Sequence, residues 1–293
     1  MEHNKGSKVY ATAIPMRVSP MLQYVQLEHL NFRLEKYQRE YQTAKPFKHL
    51  VLDDLLLPEK TAVLHNAFPQ ETWLGWKDID HAHQRRKMSC DNSALIPEPI
   101  CQLIYELNSG PFLLWLGKVA GIENLLPDPY LEGGGLHLTL PGGWLTPHTD
   151  FHKGQNSFLY RRLNLLVYLN RDWLPSNQGA LELWNKEGDT VEREVLPELG
   201  RCVIFQTDDQ SIHGFSKPVQ ERPRCSVAMY YYTAEETNTF SGDANTYWHL
   251  KPDSSRSVID RGRSHVQGAL LWLAKGISGL SWRVAKAAQQ IHR

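Results

Sequence analysis

His148 and Asp150 flank the single residue Thr149, and His213 follows far downstream. On a strand, side chains alternate between faces, so His148 and Asp150 project to the same side. Two imidazoles and one carboxylate in this order can hold one iron(II) ion on one face. The opposite face stays open for dioxygen and a chelating cosubstrate. With thirteen histidines in the chain, an HxD and a distant His can coincide by chance, so the surroundings must carry the argument.

Eleven residues beyond His213 stands Arg224, followed by Ser226 and the apolar run Val227-Ala228-Met229-Tyr230-Tyr231-Tyr232. A guanidinium offers a planar fork to a carboxylate, and a serine on the same face of the strand adds a hydroxyl donor. The pair reads as an anchor for the far end of a dicarboxylic acid beside the metal. Arg222 competes for this role, but it precedes Pro223 and falls in a predicted turn, so Arg224 is preferred.

From about Lys45 to Thr239 the chain resembles the iron(II)- and 2-oxoglutarate-dependent dioxygenases, in their prolyl-4-hydroxylase-like branch. The resemblance rests on Gly142-Gly143-Trp144-Leu145-Thr146-Pro147-His148-Thr149-Asp150-Phe151, on Arg161 to Trp173, on Gly179 to Trp184, on Arg201 to Phe205, and on His213 to Tyr232. It implies a double-stranded β-helix (jelly roll); with the helices that periodicity predicts, the expected fold is mainly β with flanking α, an N-terminal helical buttress and a C-terminal helical tail. It also implies Fe(II) on His148, Asp150 and His213, with 2-oxoglutarate and dioxygen as cosubstrates and ascorbate as a further candidate. The expected reaction is hydroxylation of a C–H bond, with a prolyl residue of a peptide or protein as prior substrate and a small metabolite or biosynthetic intermediate as the alternative. Related halogenases lack the carboxylate ligand; here Asp150 is present, which favours oxygen insertion. Two other classes stay open: a non-oxidative zinc or manganese enzyme on the same triad, which would not need Arg224, and a jelly-roll binding protein without activity.

Asn164, Leu166 and Tyr168 alternate along one predicted strand and share a face. By resemblance that face borders the 2-oxoglutarate pocket, with Tyr168 near the distal carboxylate and Asn164 nearer the metal; plain barrel filling is the competing reading. Arg161 and Arg162 read as a solvated pair at a strand start, with attraction of an anionic substrate as the alternative. His137, two residues before Thr139, points either into the cavity or into ordinary packing, and Trp144 and Trp184 either line an entrance or fill the core. Phe151–Tyr160 and Trp173–Gln178 are expected to cover the site as lids.

The elements that must position these residues follow from periodicity. Gln23 to Tyr41 carries Leu27, Leu30, Leu34 and Tyr37 at helical spacing, and Ile100 to Ile122 predicts two helices broken near Ser109-Gly110-Pro111. Asp53-Asp54 before Leu55 predicts a helix start. Short β-rich runs follow at 136–140, 163–169, 180–184, 202–205 and 225–232, which predicts two packed sheets. The expected domains are an arm and helix over 1–44, a dioxygenase domain over 45–240 and a tail over 241–293.

The chain has 293 residues, 41% of them hydrophobic, and 32 basic against 32 acidic residues. That is the composition of a globular protein with one sizeable core. The polar start from Met1 to Lys8 has no signal-peptide core and no run is long enough to span a bilayer, so a cytoplasmic location is expected. Cys90, Cys101, Cys202 and Cys225 show no CxxC spacing and are expected as reduced thiols. The charge is uneven: Lys251 to Arg293 holds eight Lys/Arg against two Asp/Glu. No basic stacking platform suggests a nucleic-acid partner. In the tail, Val266, Leu270, Leu273, Ile277, Leu280, Val284, Ala288 and Ile291 recur at helical spacing. That predicts a basic amphipathic helix, docked on the body or lying on an anionic membrane or partner through Trp272 and Trp282.

Overall fold

A computed structural model describes residues 22–154, 157–235 and 246–249. The helices are α1 (Leu27–Phe32), α2 (Leu34–Thr43), α3 (Pro58–Ala67), α4 (Glu98–Leu107) and α5 (Gly110–Ala120). The strands are β1 (His49–Leu52), β2 (Lys77–His81), β3 (Gln84–Cys90), β4 (Leu126–Pro127), β5 (Gly135–Thr149), β6 (Tyr160–Tyr168), β7 (Leu181–Trp184), β8 (Val191–Val195), β9 (Cys202–Gln206), β10 (His213–Phe215), β11 (Arg224–Thr233) and β12 (Tyr247–Trp248). All pair antiparallel in one curled sheet with the central order β1-β9-β6-β11-β5-β10-β7-β8.

The sheet curls because β5 belongs to both halves. Its first part pairs with β11; after the Pro141-Gly142-Gly143 bend its second part pairs with β10 and β12, while β3 runs along both parts. This is the mainly β jelly-roll architecture expected from the sequence, with helices on the outer face.

Side-chain alternation then sorts the residues. Leu136 and Leu138 on β5, Leu163, Leu165 and Val167 on β6, Cys202 and Ile204 on β9, and Val227, Met229 and Tyr231 on β11 all face the helices. They meet Leu30, Tyr37, Ile104, Phe112, Trp115 and Leu116 in the main core. Each such side chain contributes roughly 1.5–3 kcal/mol by leaving water. Two polar ties hold the helices in place. The buried Glu106 carboxylate accepts hydrogen bonds from the backbone N–H groups of Gln23, Tyr24 and Val25 at 2.7–3.1 Å, and Trp115 Nε1 donates to the Leu30 carbonyl at 3.1 Å.

Several expectations change in detail. The first helix is two helices, broken at Arg33 (φ −100°, ψ 11°). Asp53-Asp54 does not start a helix: α3 begins at Pro58, whose missing N–H costs nothing in a first turn. Asp54 instead accepts hydrogen bonds from the Tyr37 hydroxyl (2.7 Å) and His29 Nε2 (2.8 Å), joining α1 and α2 to the loop after β1. The four cysteines are free, and all but Cys225 are buried. Trp184 is fully buried, while Trp144 lies under the Arg85 guanidinium at 5.8 Å; neither lines an entrance. No described helix is long and apolar enough to cross a membrane. The predicted tail helix, with Trp272 and Trp282, lies outside the described residues, as does the arm before residue 22.

Candidate metal and 2-oxoglutarate site

Where β5 meets β10, His213 stands directly opposite His148, so a cross-strand pair supplies the two imidazoles. Asp150 follows just past the end of β5 on the same side. His148 Nε2 lies 3.4 Å from Asp150 Oδ1, and His213 Nε2 lies 3.5 Å from Oδ2. One ligand atom from each of the three falls within 4.8 Å of the others. Ligands at roughly 2.1 Å from a common metal stand about 3 Å apart, a spacing that the two Asp150–imidazole distances already approach.

The chemistry of the donor set fits as well. Each histidine Nδ1 donates to a backbone carbonyl two residues before it, Thr146 for His148 and Ser211 for His213, both at 2.9 Å. That fixes the tautomer and leaves both Nε2 lone pairs for a metal. Burial pushes the His213 pKa down to about 4 in spite of the nearby Asp150, so its lone pair is free at neutral pH. Phe205 packs edge-on against His213 at 4.6 Å, and Trp248 lies 5.0 Å from His148.

Asp150 is held from behind. Asn164 Nδ2 donates to Asp150 Oδ2 at 2.5 Å, Arg161 Nε donates to Asn164 Oδ1 at 2.9 Å, and Arg161 Nη2 pairs with Asp150 Oδ2 at 3.2 Å. Burial alone would raise the carboxyl pKa, but Arg161 and the two imidazoles outweigh it and hold the group well below the usual carboxylate range. The guanidinium carbon of Arg161 sits 3.3 Å from the Tyr230 ring centroid and 4.5 Å from that of Phe151. The expectation of a solvated Arg161-Arg162 pair is therefore corrected: Arg161 is 1% exposed. A β-bulge is the cause. Tyr231 pairs with Leu163 but Tyr232 pairs with Arg161, so Arg162 is an extra residue and Arg161 is turned onto the cavity face.

Arg224, Ser226, Tyr168 and Asn164 all line the same cavity of about 220 Å³, or stand at its wall. Arg224 Nε donates to the Gly179 carbonyl at 2.8 Å, and its Nη2 donates to the Tyr168 hydroxyl at 3.2 Å. The rings of Tyr168 and Phe215 lie 4.8 and 4.4 Å from the guanidinium carbon. Among the described residues no carboxylate pairs with this buried cation, and such a charge demands an anion. Gly179 is at φ +68°, and a Cβ there would come within 3.2 Å of the Arg224 side chain, so glycine is what lets the loop support it. Arg222 is exposed, and its Nη1 donates to the carbonyls of Arg171 and Asp172, outside the cavity.

Of the two expected lids, Phe151 does reach the cavity. Trp173–Gln178 does not: Trp173 packs on Phe215 and Val219, and the segment serves to present Gly179. His137 lines the cavity, as the first of its two readings held. Sequence reasoning missed Lys87 and Trp248. For Lys87 a signal existed, because Met88 and Cys90 (core) alternate with Lys87 and Ser89 (cavity) as a strand would. For Trp248 none did, since it reaches the site only by pairing opposite His148.

The description "2OG-Fe(II) oxygenase superfamily" belongs to the family model that matches residues 134–232. A prolyl-4-hydroxylase from Pseudomonas putida aligns with 68% of this chain and 100% of its own at 16% identity and a TM-score of 0.52. A prolyl 4-hydroxylase structure from Phytophthora capsici aligns with 75% of this chain and 69% of its own at 19% identity and a TM-score of 0.50. At these identities the likeness is one of fold. No curated protein sequence matches the chain. The matched segment carries the His148–Asp150–His213 cluster, so over residues 134–232 the chain is similar to the 2OG-Fe(II) oxygenase superfamily in both sequence pattern and site geometry.

Proposed function

We propose that this protein hydroxylates an unactivated C–H bond of a second substrate, coupled to oxidative decarboxylation of 2-oxoglutarate to succinate and carbon dioxide. The observation that carries this reading is the pairing of an open metal triad with a buried, carboxylate-free Arg224 in one cavity. Iron(II), when bound, supplies the redox chemistry that activates dioxygen.

The residues of the chain do the rest. His148, Asp150 and His213 hold the metal on one face. Arg224 receives the distal carboxylate of 2-oxoglutarate, with Tyr168 aligning the guanidinium and Ser226 offering a further hydroxyl. Asn164 and Arg161 keep the Asp150 carboxylate ionised and fixed in orientation. Phe151, Phe205, Phe215 and Trp248 limit the access of water to the cavity.

A prolyl residue in a peptide or protein is the first substrate to try, on the strength of the two prolyl hydroxylase folds to which the chain is similar. The test is succinate formation with iron(II) and 2-oxoglutarate across proline peptides and free metabolites. Succinate release that tracks hydroxylated product supports the reading. Failure of 2-oxoglutarate to bind the metal-loaded protein rejects it, and activity with zinc in the absence of 2-oxoglutarate favours a hydrolytic enzyme.

A further inference from the structure

Among the described residues three cationic side chains line the cavity, Lys87, Arg161 and Arg224, against two carboxylates, Asp91 and Asp150. Two of the positive charges have an assignment. Arg161 is committed to Asp150, and Arg224 is the group that takes the distal carboxylate of 2-oxoglutarate. Asp91 is paired with Lys77. Lys87 has no hydrogen-bond or ion-pair partner among the described residues, although its side chain faces the cavity.

The register shows where Lys87 stands. Thr139 on β5 pairs with Arg224 on one side and with Lys87 on the other, so the three share one cross-strand row and one face. The next row runs Tyr168, Ser226, His137 and Ser89. Adjacent strands are about 4.8 Å apart, so the backbones of Lys87 and Arg224 are separated by roughly 10 Å across this polar floor. A group bound at Lys87 therefore lies beside, and not on top of, one held at Arg224.

Charge balance points the same way. Iron(II) and the 2-oxoglutarate dianion cancel, and Asp150 and Arg161 cancel, which leaves the cavity positive even when both cofactor and cosubstrate are bound. A positive charge in a low-dielectric cavity costs free energy until an anion arrives. Burial pushes the Lys87 amine down to about 8, against the pull of Asp150, as an unmatched cation should behave.

We infer that the second substrate carries an anionic group, a carboxylate or a phosphate, and that Lys87 is the residue that binds it. This rests on the function proposed above and narrows its substrate class to acids. A neutral internal prolyl residue lacks that group unless an acidic neighbour or a terminal carboxylate supplies it.

The experiment uses the full chain loaded with Mn(II) and 2-oxoglutarate. Binding is measured for matched pairs: N-acetyl amino acids, proline included, against their amides, and sugar phosphates against the parent sugars. One class of pair reports a carboxylate, the other a phosphate. In the native protein at least one anionic member binds about tenfold more tightly than its neutral partner, as expected for a hydrogen bond to a charged group. Lys87→Met erases that preference and Lys87→Arg keeps it. The affinity for 2-oxoglutarate is measured on the same samples, which shows that the variants are folded and separates the two hypotheses. Loss of 2-oxoglutarate binding by Lys87→Met would make Lys87 a cosubstrate anchor and overturn the inference. So would a native protein in which no anionic member outbinds its neutral partner, or a Lys87→Met protein that keeps the preference. If the native protein itself fails to bind 2-oxoglutarate, the parent reading fails first.

Discussion

The two faces of β11 obey opposite rules. Val227, Met229 and Tyr231 point to the helices and are wholly buried among leucines and aromatics; Arg224, Ser226 and Tyr230 point into the cavity, where charges and hydroxyls stand among aromatic rings. One face is packed to hold the molecule together. The other carries Arg224, a buried cation with no carboxylate partner among the described residues, which costs stability until an anion arrives. The difference teaches that an alternating strand can separate stability from function by one residue. Substitutions on the two faces should therefore divide between Tm and binding.

The sharpest break of this comparison is at the metal. His213→Ala or His148→Ala should abolish iron binding and turnover, while Tm without metal stays within a few degrees. Undiminished succinate formation by either variant would end the assignment. Asp150→Ala should cross the divide: it keeps some metal affinity, loses hydroxylation, and strands the buried Arg161, at about 3–5 kcal/mol for a broken buried pair. Chemical denaturation of Asp150→Ala beside Asp150→Ala/Arg161→Met tests this, because the double variant should recover much of the loss.

On the helix-facing side, Leu165→Ala should cost about 2–5 kcal/mol yet leave the affinity for 2-oxoglutarate unchanged. A weakened affinity there would mean that the two faces are coupled. Arg224→Ala should do the reverse and weaken 2-oxoglutarate by roughly tenfold or more, through loss of a charge-assisted contact. Arg222→Ala is its control. Should Arg222→Ala weaken 2-oxoglutarate while Arg224→Ala does not, the anchor has been misassigned.

The smallest effect is at Lys87. Its folded pKa, near 8, lies below the ordinary value of 10.5, so the unfolded chain binds more protons between those values and stability rises with pH across that window. Below pH 8 the full penalty of burying the charge applies, with Asp150 relieving it and Arg224 and His137 facing the same space. Lys87→Met should thus raise Tm at pH 7 by a few degrees, corresponding to about 1 kcal/mol. A fall in Tm would show that the amine is already compensated.

Much of this division is legible in the residue order. The alternation of Leu163, Leu165 and Val167 with Asn164, Leu166 and Tyr168 assigns the two faces of β6 before any coordinates, and His148-Thr149-Asp150 places two ligands on one side. The strand β3 was equally open to that test through Met88 and Cys90. Arg161 was not, because strict alternation puts it with Leu163 on the core side; only the bulge at Arg162, set by pairing with β11, turns it to the cavity. The Asp53-Asp54 pair misled because short-range capping logic cannot see Tyr37 and His29 arriving from α1 and α2.

By itself, then, the sequence determined the ligand types, their order and the faces of the long strands, since those depend on chemistry and on a local period of two. Tertiary structure alone decided that His213 stands opposite His148, that Arg161 neutralises Asp150, that Gly179 supports Arg224, and that Lys87 is left without a partner among the described residues. Each of these depends on strand register or on a contact between segments distant in the chain. Those are set by the packing of the whole sheet and leave no mark in a local pattern.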